Sequence, residues 1–189
     1  MKNQFALWMS VLAIGVGSRV SAAAQADPKT HVTIPIIAAN PVDVATIEAI
    51  VKASYETISG GVGVPRQWGR DRTLYDPHVR FVGIERDKKT GAASVQPSNE
   101  QEFADESDAS MVKDGFTERE LGSQIHRFGN VATVLSSYEG KVASTGRVVT
   151  RGVNIFQLYY DGRRWWILSA VWDEEQPGNR IPKELLPKG

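Results

Sequence analysis

The chain has 189 residues, 41% of them hydrophobic and 23% charged, which suits one globular domain with its own core and excludes wholesale disorder. Its 22 basic and 22 acidic residues cancel, leaving no cationic excess to neutralise a nucleic-acid backbone. Cysteine is absent, so disulfides, thiolate nucleophiles and cysteine–zinc sites are excluded together.

Lys2 precedes an apolar stretch from Phe5 to Gly17, and the small residues Ser21 to Ala24 follow it. This is the layout of a secretory signal peptide over residues 1–24, cut near Ala24 or Ala26. The stretch is shorter than the ~20 residues a membrane span requires, so no stable span is expected after cleavage. Cleavage takes away Lys2 and Arg19 and no acid, leaving 20 basic against 22 acidic residues in a periplasmic or secreted chain. Residues 25–40 read as an extended linker or arm in which His31 is solvated, and residues 41–186 as the domain.

Asn40 has the character of a helix N-cap, with Pro41 at the first helical position and Asp43 near the positive end. Val44, Ile47, Val51 and Ile58 keep helical spacing, with Ser54 and Tyr55 beside the stripe, and Gly60-Gly61 ends the helix. A short second helix follows over Pro65 to Leu74, anchored by Trp68 and Leu74 and broken at Asp76-Pro77. Val79, Phe81 and Gly83 alternate with Arg80 and Val82 as a strand, and a turn at Asp87 to Gly91 returns it over residues 92–95. Ser98 and Gln101 form a capping box that opens a helix toward Gly115. Its acids, from Glu100 to Asp108, read as a solvated face over a thin stripe of Phe103 and Met111. A calcium loop would need a central glycine that this segment lacks.

From Phe116 the pattern changes to strands, placed at about 117–128, 131–139, 147–160 and 164–173, with turns at Gly129-Asn130, Glu139-Gly140 and Asp161-Gly162. Helices followed by long antiparallel strands describe an α+β domain with one strongly bent sheet.

The segments PRQWGRDRTLYDPHVRF, FTERELGSQIHRFGNVATVLSSYE, RGVNIFQLYYDGRRWWILSAVWDEE and IPKELL resemble bacterial members of the nuclear transport factor 2-like superfamily. The similarity runs from Val44 to Leu186, and the GRRWWI step is its most specific piece. The resemblance implies a cone: a bent antiparallel sheet wrapped around the N-terminal helices, with a pocket open at the wide end. Relatives of this shape include ketosteroid isomerases, scytalone dehydratase, limonene epoxide hydrolase and SnoaL-like polyketide cyclases, while others only bind ligands or pair with partners. None of their catalytic motifs matches this chain position by position, so no catalytic residue carries over.

On such a scaffold, enzymes keep a general acid or base inside an apolar cavity, where desolvation brings it toward neutral pH. Asp71, close to Trp68, is one catalytic candidate, with a surface ion pair to Arg70 or Arg72 as its alternative. His126 is the other, a pocket base if its strand face is concave and a half-exposed sheet residue if it is not. Asp76 and His78 supply only two potential metal ligands, and neither a metal nor a cofactor is expected. Asn154 and Gln157 interrupt an apolar strand on opposite faces, and Asn154 is assigned to the inner one. Tyr55, Trp68, Tyr138 and Trp172 are the aromatic candidates for the pocket wall, whereas Trp165 and Ile167 read as core.

These residues lead first to binding of a small apolar or amphipathic molecule. The alternative is an isomerase, dehydratase or cyclase working through Asp71 or His126. A third reading is an interaction module, a homodimer joined through the outer sheet face near Tyr159 and Trp166.

Overall fold

A computed structural model of the chain describes residues 31–87 and 89–187, so the expected signal peptide lies outside the described residues. The helix expected over residues 41–58 is divided. α1, Pro41–Val44, is capped by the Asn40 side chain, which accepts from the Val42 N–H, and α2, Ile47–Thr57, begins afresh. The cause is Thr46, whose backbone turns extended and whose hydroxyl accepts the Ala49 N–H, forming a second cap.

α3, Trp68–Arg72, leads directly into β1, Tyr75–Arg86. Pro77 is carried inside β1 where the pairing register shifts between Tyr75 and Arg80, a place that demands no ladder donor from proline. β2, Ala93–Ser98, runs further than expected and accommodates Pro97 because it is an edge strand. The capping box of α4, Glu100–Asp114, is formed by Asn99 and Glu102, one residue later than the Ser98–Gln101 pair. Its two reciprocal bonds are each 2.9 Å. Asn99→Ala is therefore expected to lower stability by ~1 kcal/mol, read as a shifted midpoint in urea unfolding.

Four long strands complete the sheet: β3, Phe116–Phe128; β4, Val131–Val142; β5, Val148–Tyr160; and β6, Trp165–Glu174. Glu139-Gly140 is not a turn. It lies within β4, where Gly140 leaves room for Phe116 and Thr150, and the chain reverses later, around Gly146 at φ +68°. The Asp161-Gly162 hairpin does form, but with Asp161 paired to Arg164 its loop is Gly162-Arg163, one residue further on. The sheet order is β2-β1-β6-β5-β4-β3, antiparallel throughout except that β1 runs parallel to β6.

This bent, mixed sheet wraps α2. Ile50 and Val51 of that helix meet Val134, Phe156, Leu158, Trp165 and Ile167 across the concave side, and Leu74 joins the same cluster. Burial of such side chains contributes about 1.5–3 kcal/mol each. A short turn of 3-10 helix, Lys183–Leu185, seals the outer half of β3 and β4, with the Ser137 hydroxyl donating to the Leu185 carbonyl.

The arm packs on the domain. Ile34 is buried with Trp68 and Ala104, the Val32 N–H donates to Asp105 at 2.7 Å, and Gln101 donates to the Val32 carbonyl at 2.8 Å. The acidic face of α4 is consequently not simply solvated: Asp105 holds the arm and meets the His31 ring, Glu100 pairs with Arg72, and Asp108 accepts the Trp68 indole N–H.

Candidate functional site

A cavity of about 260 Å³ remains between the helices and the concave side of the sheet. Its position follows from the curvature: α2 fills the narrow half of the cone, leaving the half beneath α4 only partly filled. Tyr55 and Ser54 of α2 and Phe103 and Met111 of α4 form one side, and Tyr75, Phe81, Phe116, Tyr138, Phe156 and Trp172 form the other. Trp172 stands over the bare Cα of Gly83, where a Cβ would meet its ring at 2.7 Å, so a glycine on β1 shapes the wall.

Glu118 enters this aromatic wall from β3. On a strand, Phe116, Glu118 and Glu120 share one face and Thr117 and Arg119 the other, so the chain that buries Phe116 also turns Glu118 inward. Burial pushes its carboxyl up to about 7, with the neighbouring Asn154 amide pulling the other way.

Beside Glu118 lies a hydrogen-bonded chain with a fixed direction. Ser136 donates to Glu120 at 2.7 Å, so its hydrogen is spent and the Tyr55 hydroxyl, 2.7 Å away, must donate to Ser136. Asn154 then donates to Tyr55 at 3.1 Å. The chain holds Tyr55 and Asn154 rigidly at the cavity surface and commits the Tyr55 hydrogen, leaving Glu118 as the carboxyl free to address an occupant. Burial raises the hydroxyl pKa of Tyr55, Tyr75 and Tyr138, so these groups stay neutral across the physiological range.

Of the residues singled out from sequence, Tyr55, Tyr138, Asn154 and Trp172 are brought together here. Trp68 is elsewhere, packed edge-on against Phe103 with its indole bonded to Asp108 at 2.6 Å. Asp71 is sealed beneath α3, 1% exposed, with Thr57 as its hydrogen-bond partner. His126 lies opposite Thr133 on the outer face of the sheet, turned there by the β3 bulge between Glu120 and Gly122, at an end of the strand where Phe128 is 87% exposed. Asp71, His126 and Asn154 thus share no cavity. Asp76 accepts the Tyr159 hydroxyl at 2.6 Å and the His78 N–H at 2.7 Å. Among the described residues no cluster of three potential metal ligands occurs.

Glu118 itself was not singled out from sequence. The available signal was its alternation with Phe116, which marks the inner face, but a run of Glu-Arg-Glu reads as surface until the strand is known to bend over a pocket.

Neither a family model nor a curated protein sequence matches the chain. Solved structures do. A nuclear transport factor 2-like protein of unknown function from Pseudomonas putida KT2440 superposes with a TM-score of 0.53 at 10% identity, covering 75% of this chain and 94% of that one. A protein of unknown function from Mycobacterium tuberculosis gives 0.53 at 17% identity, covering 73% and 80%. An uncharacterised protein with a cystatin-like fold from Caulobacter vibrioides gives 0.50 at 11%, covering 70% and 89%. At such identities the likeness establishes the fold and leaves the chemistry to the site.

Proposed function

We propose that this chain, a cone of the nuclear transport factor 2-like fold, binds a small and largely apolar molecule in the cavity around Glu118. One observation carries the reading: an aromatic cavity of about 260 Å³ encloses a carboxyl that burial has brought to about 7. Ligand sites have this make-up, an apolar lining that supplies affinity and a few convergent polar groups that supply orientation. The N-terminal apolar stretch from Phe5 to Gly17 supports export, which would place this binding outside the cytoplasm.

A planar phenol tests it. In isothermal titration calorimetry, 2-naphthol should bind saturably, one molecule per chain. Glu118→Ala should weaken that binding about tenfold, the worth of one hydrogen bond to a charged acceptor. Absence of saturable binding, or an affinity indifferent to position 118, would contradict the proposal.

A second reading, proton-transfer catalysis of the isomerase, dehydratase or cyclase kind, draws support from Glu118 alone. A carboxyl at about 7 exchanges a proton with either sense of driving force at neutral pH, which is what a general acid or base requires. In this reading Glu118 takes the role that sequence assigned to Asp71 or His126.

A further inference from the structure

We infer that the cavity around Glu118 selects a small organic cation, an amine or methylated ammonium carrying an apolar portion, over an uncharged molecule of the same shape. The inference rests on the binding role proposed above and adds to it the charge of the ligand.

The wall is the first observation. Eight aromatic rings line the cavity together with the carboxyls of Glu118 and Glu174, and among the described residues no lysine, arginine or histidine does. The negative faces of such rings attract cations, more strongly where water is displaced. An anionic ligand would meet the opposite: two acids and no counter-charge.

The second observation is the missing partner of Glu118. Other buried carboxyls of this fold are matched by guanidinium groups: Asp43 by Arg70 at 2.7 Å and Glu100 by Arg72 at 2.9 Å. Asp71 has no such contact, but it is 1% exposed, bonded to Thr57, and does not line this cavity. Glu118, half-buried in an aromatic wall, has no cationic partner among the described residues and opens onto the cavity. A buried carboxylate without a counter-charge is costly, and a bound ammonium supplies the missing half of the pair.

The surroundings keep that charge uncompensated. The titratable groups facing Glu118 are Tyr55 from α2, Tyr75 from β1, Tyr138 from β4, Glu120 on its own strand and Glu174 from β6, all neutral or acidic. With Glu118 held near 7, a cation should bind its ionised form and expel a proton, whereas an uncharged ligand with no hydrogen to donate should not.

The test uses an isosteric pair, benzyltrimethylammonium and neopentylbenzene, in which carbon replaces the charged nitrogen. Each competes with 2-naphthol for the full chain. The cation should be preferred by at least about tenfold at about pH 8, and the preference should shrink at least about threefold at about pH 5, where Glu118 is protonated. Glu118→Gln should shrink it equally at about pH 8, with the neutral isostere in the same variant reporting an intact cavity. A preference near unity in the unaltered chain, or one unmoved by both pH and Glu118→Gln, overturns the inference. If 2-naphthol binds and the cation gains nothing, only the charge assignment fails; if 2-naphthol itself does not bind, the binding role fails with it.

Discussion

Asp71→Asn is expected to stabilise the protein at about pH 8 and to remove the Asp71 share of the decline in stability above about pH 4, leaving the share that the raised Glu118 carboxyl contributes. The Asp71 carboxyl is 1% exposed, and burial pushes it from 3.8 up to about 7. The hydrogen bonds around it agree. Thr57 has one hydroxyl hydrogen and two acceptors in reach, the Ser54 carbonyl at 3.0 Å and Asp71. Only a protonated Asp71, donating to Thr57 while Thr57 donates to Ser54, satisfies both contacts. The sign follows from the raised value. Between the unfolded and folded pKa the native state holds a proton that the unfolded chain has released. Its contribution is therefore complete below about pH 4 and is lost as pH rises toward about 7, by up to ~4 kcal/mol. The asparagine amide donates to Thr57 at every pH. Urea unfolding at about pH 4.5, 6 and 8 should show the two proteins converging at the acid end and separating at the alkaline end. Parallel curves would show Asp71 to be ionised throughout.

Gly152→Ala carries the second large effect. A Cβ at this position would lie 2.2 Å from the Asp173 carbonyl oxygen, 2.9 Å from the Tyr138 hydroxyl and 3.0 Å from the Glu174 Cα. Two of these three neighbours are backbone of the adjacent strand, to which Gly152 is paired, so relief requires β5 and β6 to part. The expected cost is about 3 kcal/mol or more, at the upper end of overpacking effects. Because Tyr138 also lines the cavity, 2-naphthol affinity should fall in the fraction that remains folded. A variant within ~0.5 kcal/mol of the unaltered chain would contradict the tight β5–β6 contact.

The fold was largely legible because its long segments repeat their signals. Asn40-Pro41 announces a helix start, and Gly129, with φ +55°, marks the β3–β4 reversal where sequence put it. What escaped were features decided by a single side chain in a tertiary setting. Thr46 divides the first helix with one hydroxyl, and Gly140 serves as packing space inside a strand although glycine after an acid reads as a turn. The β1–β6 parallel pairing left no local trace, since it joins Phe81 to Ala170.

The site was legible in part for the same reason. Asn154 stood out as a polar interruption of an apolar strand, and Tyr55 as an aromatic on the buried helix stripe; the two meet at 3.1 Å. Glu118 had no such contrast with its neighbours in FTERELG. His126 would share the face of Glu118 in an unbroken strand, but the β3 bulge between Glu120 and Gly122 reverses the alternation and pairs it with outward-facing Thr133. Alternation fixes a face only until a bulge resets it.

The account turns on Glu118 as an ionisable group inside a ligand cavity. A 13C NMR titration of the glutamate side-chain carboxyls, assigned with Glu118→Gln and repeated with saturating 2-naphthol, tests this most directly. The expected record is a Glu118 inflection at about 7 that shifts when the ligand binds. An inflection in the ordinary range of about 4.3, with a resonance that ignores the ligand, would contradict it.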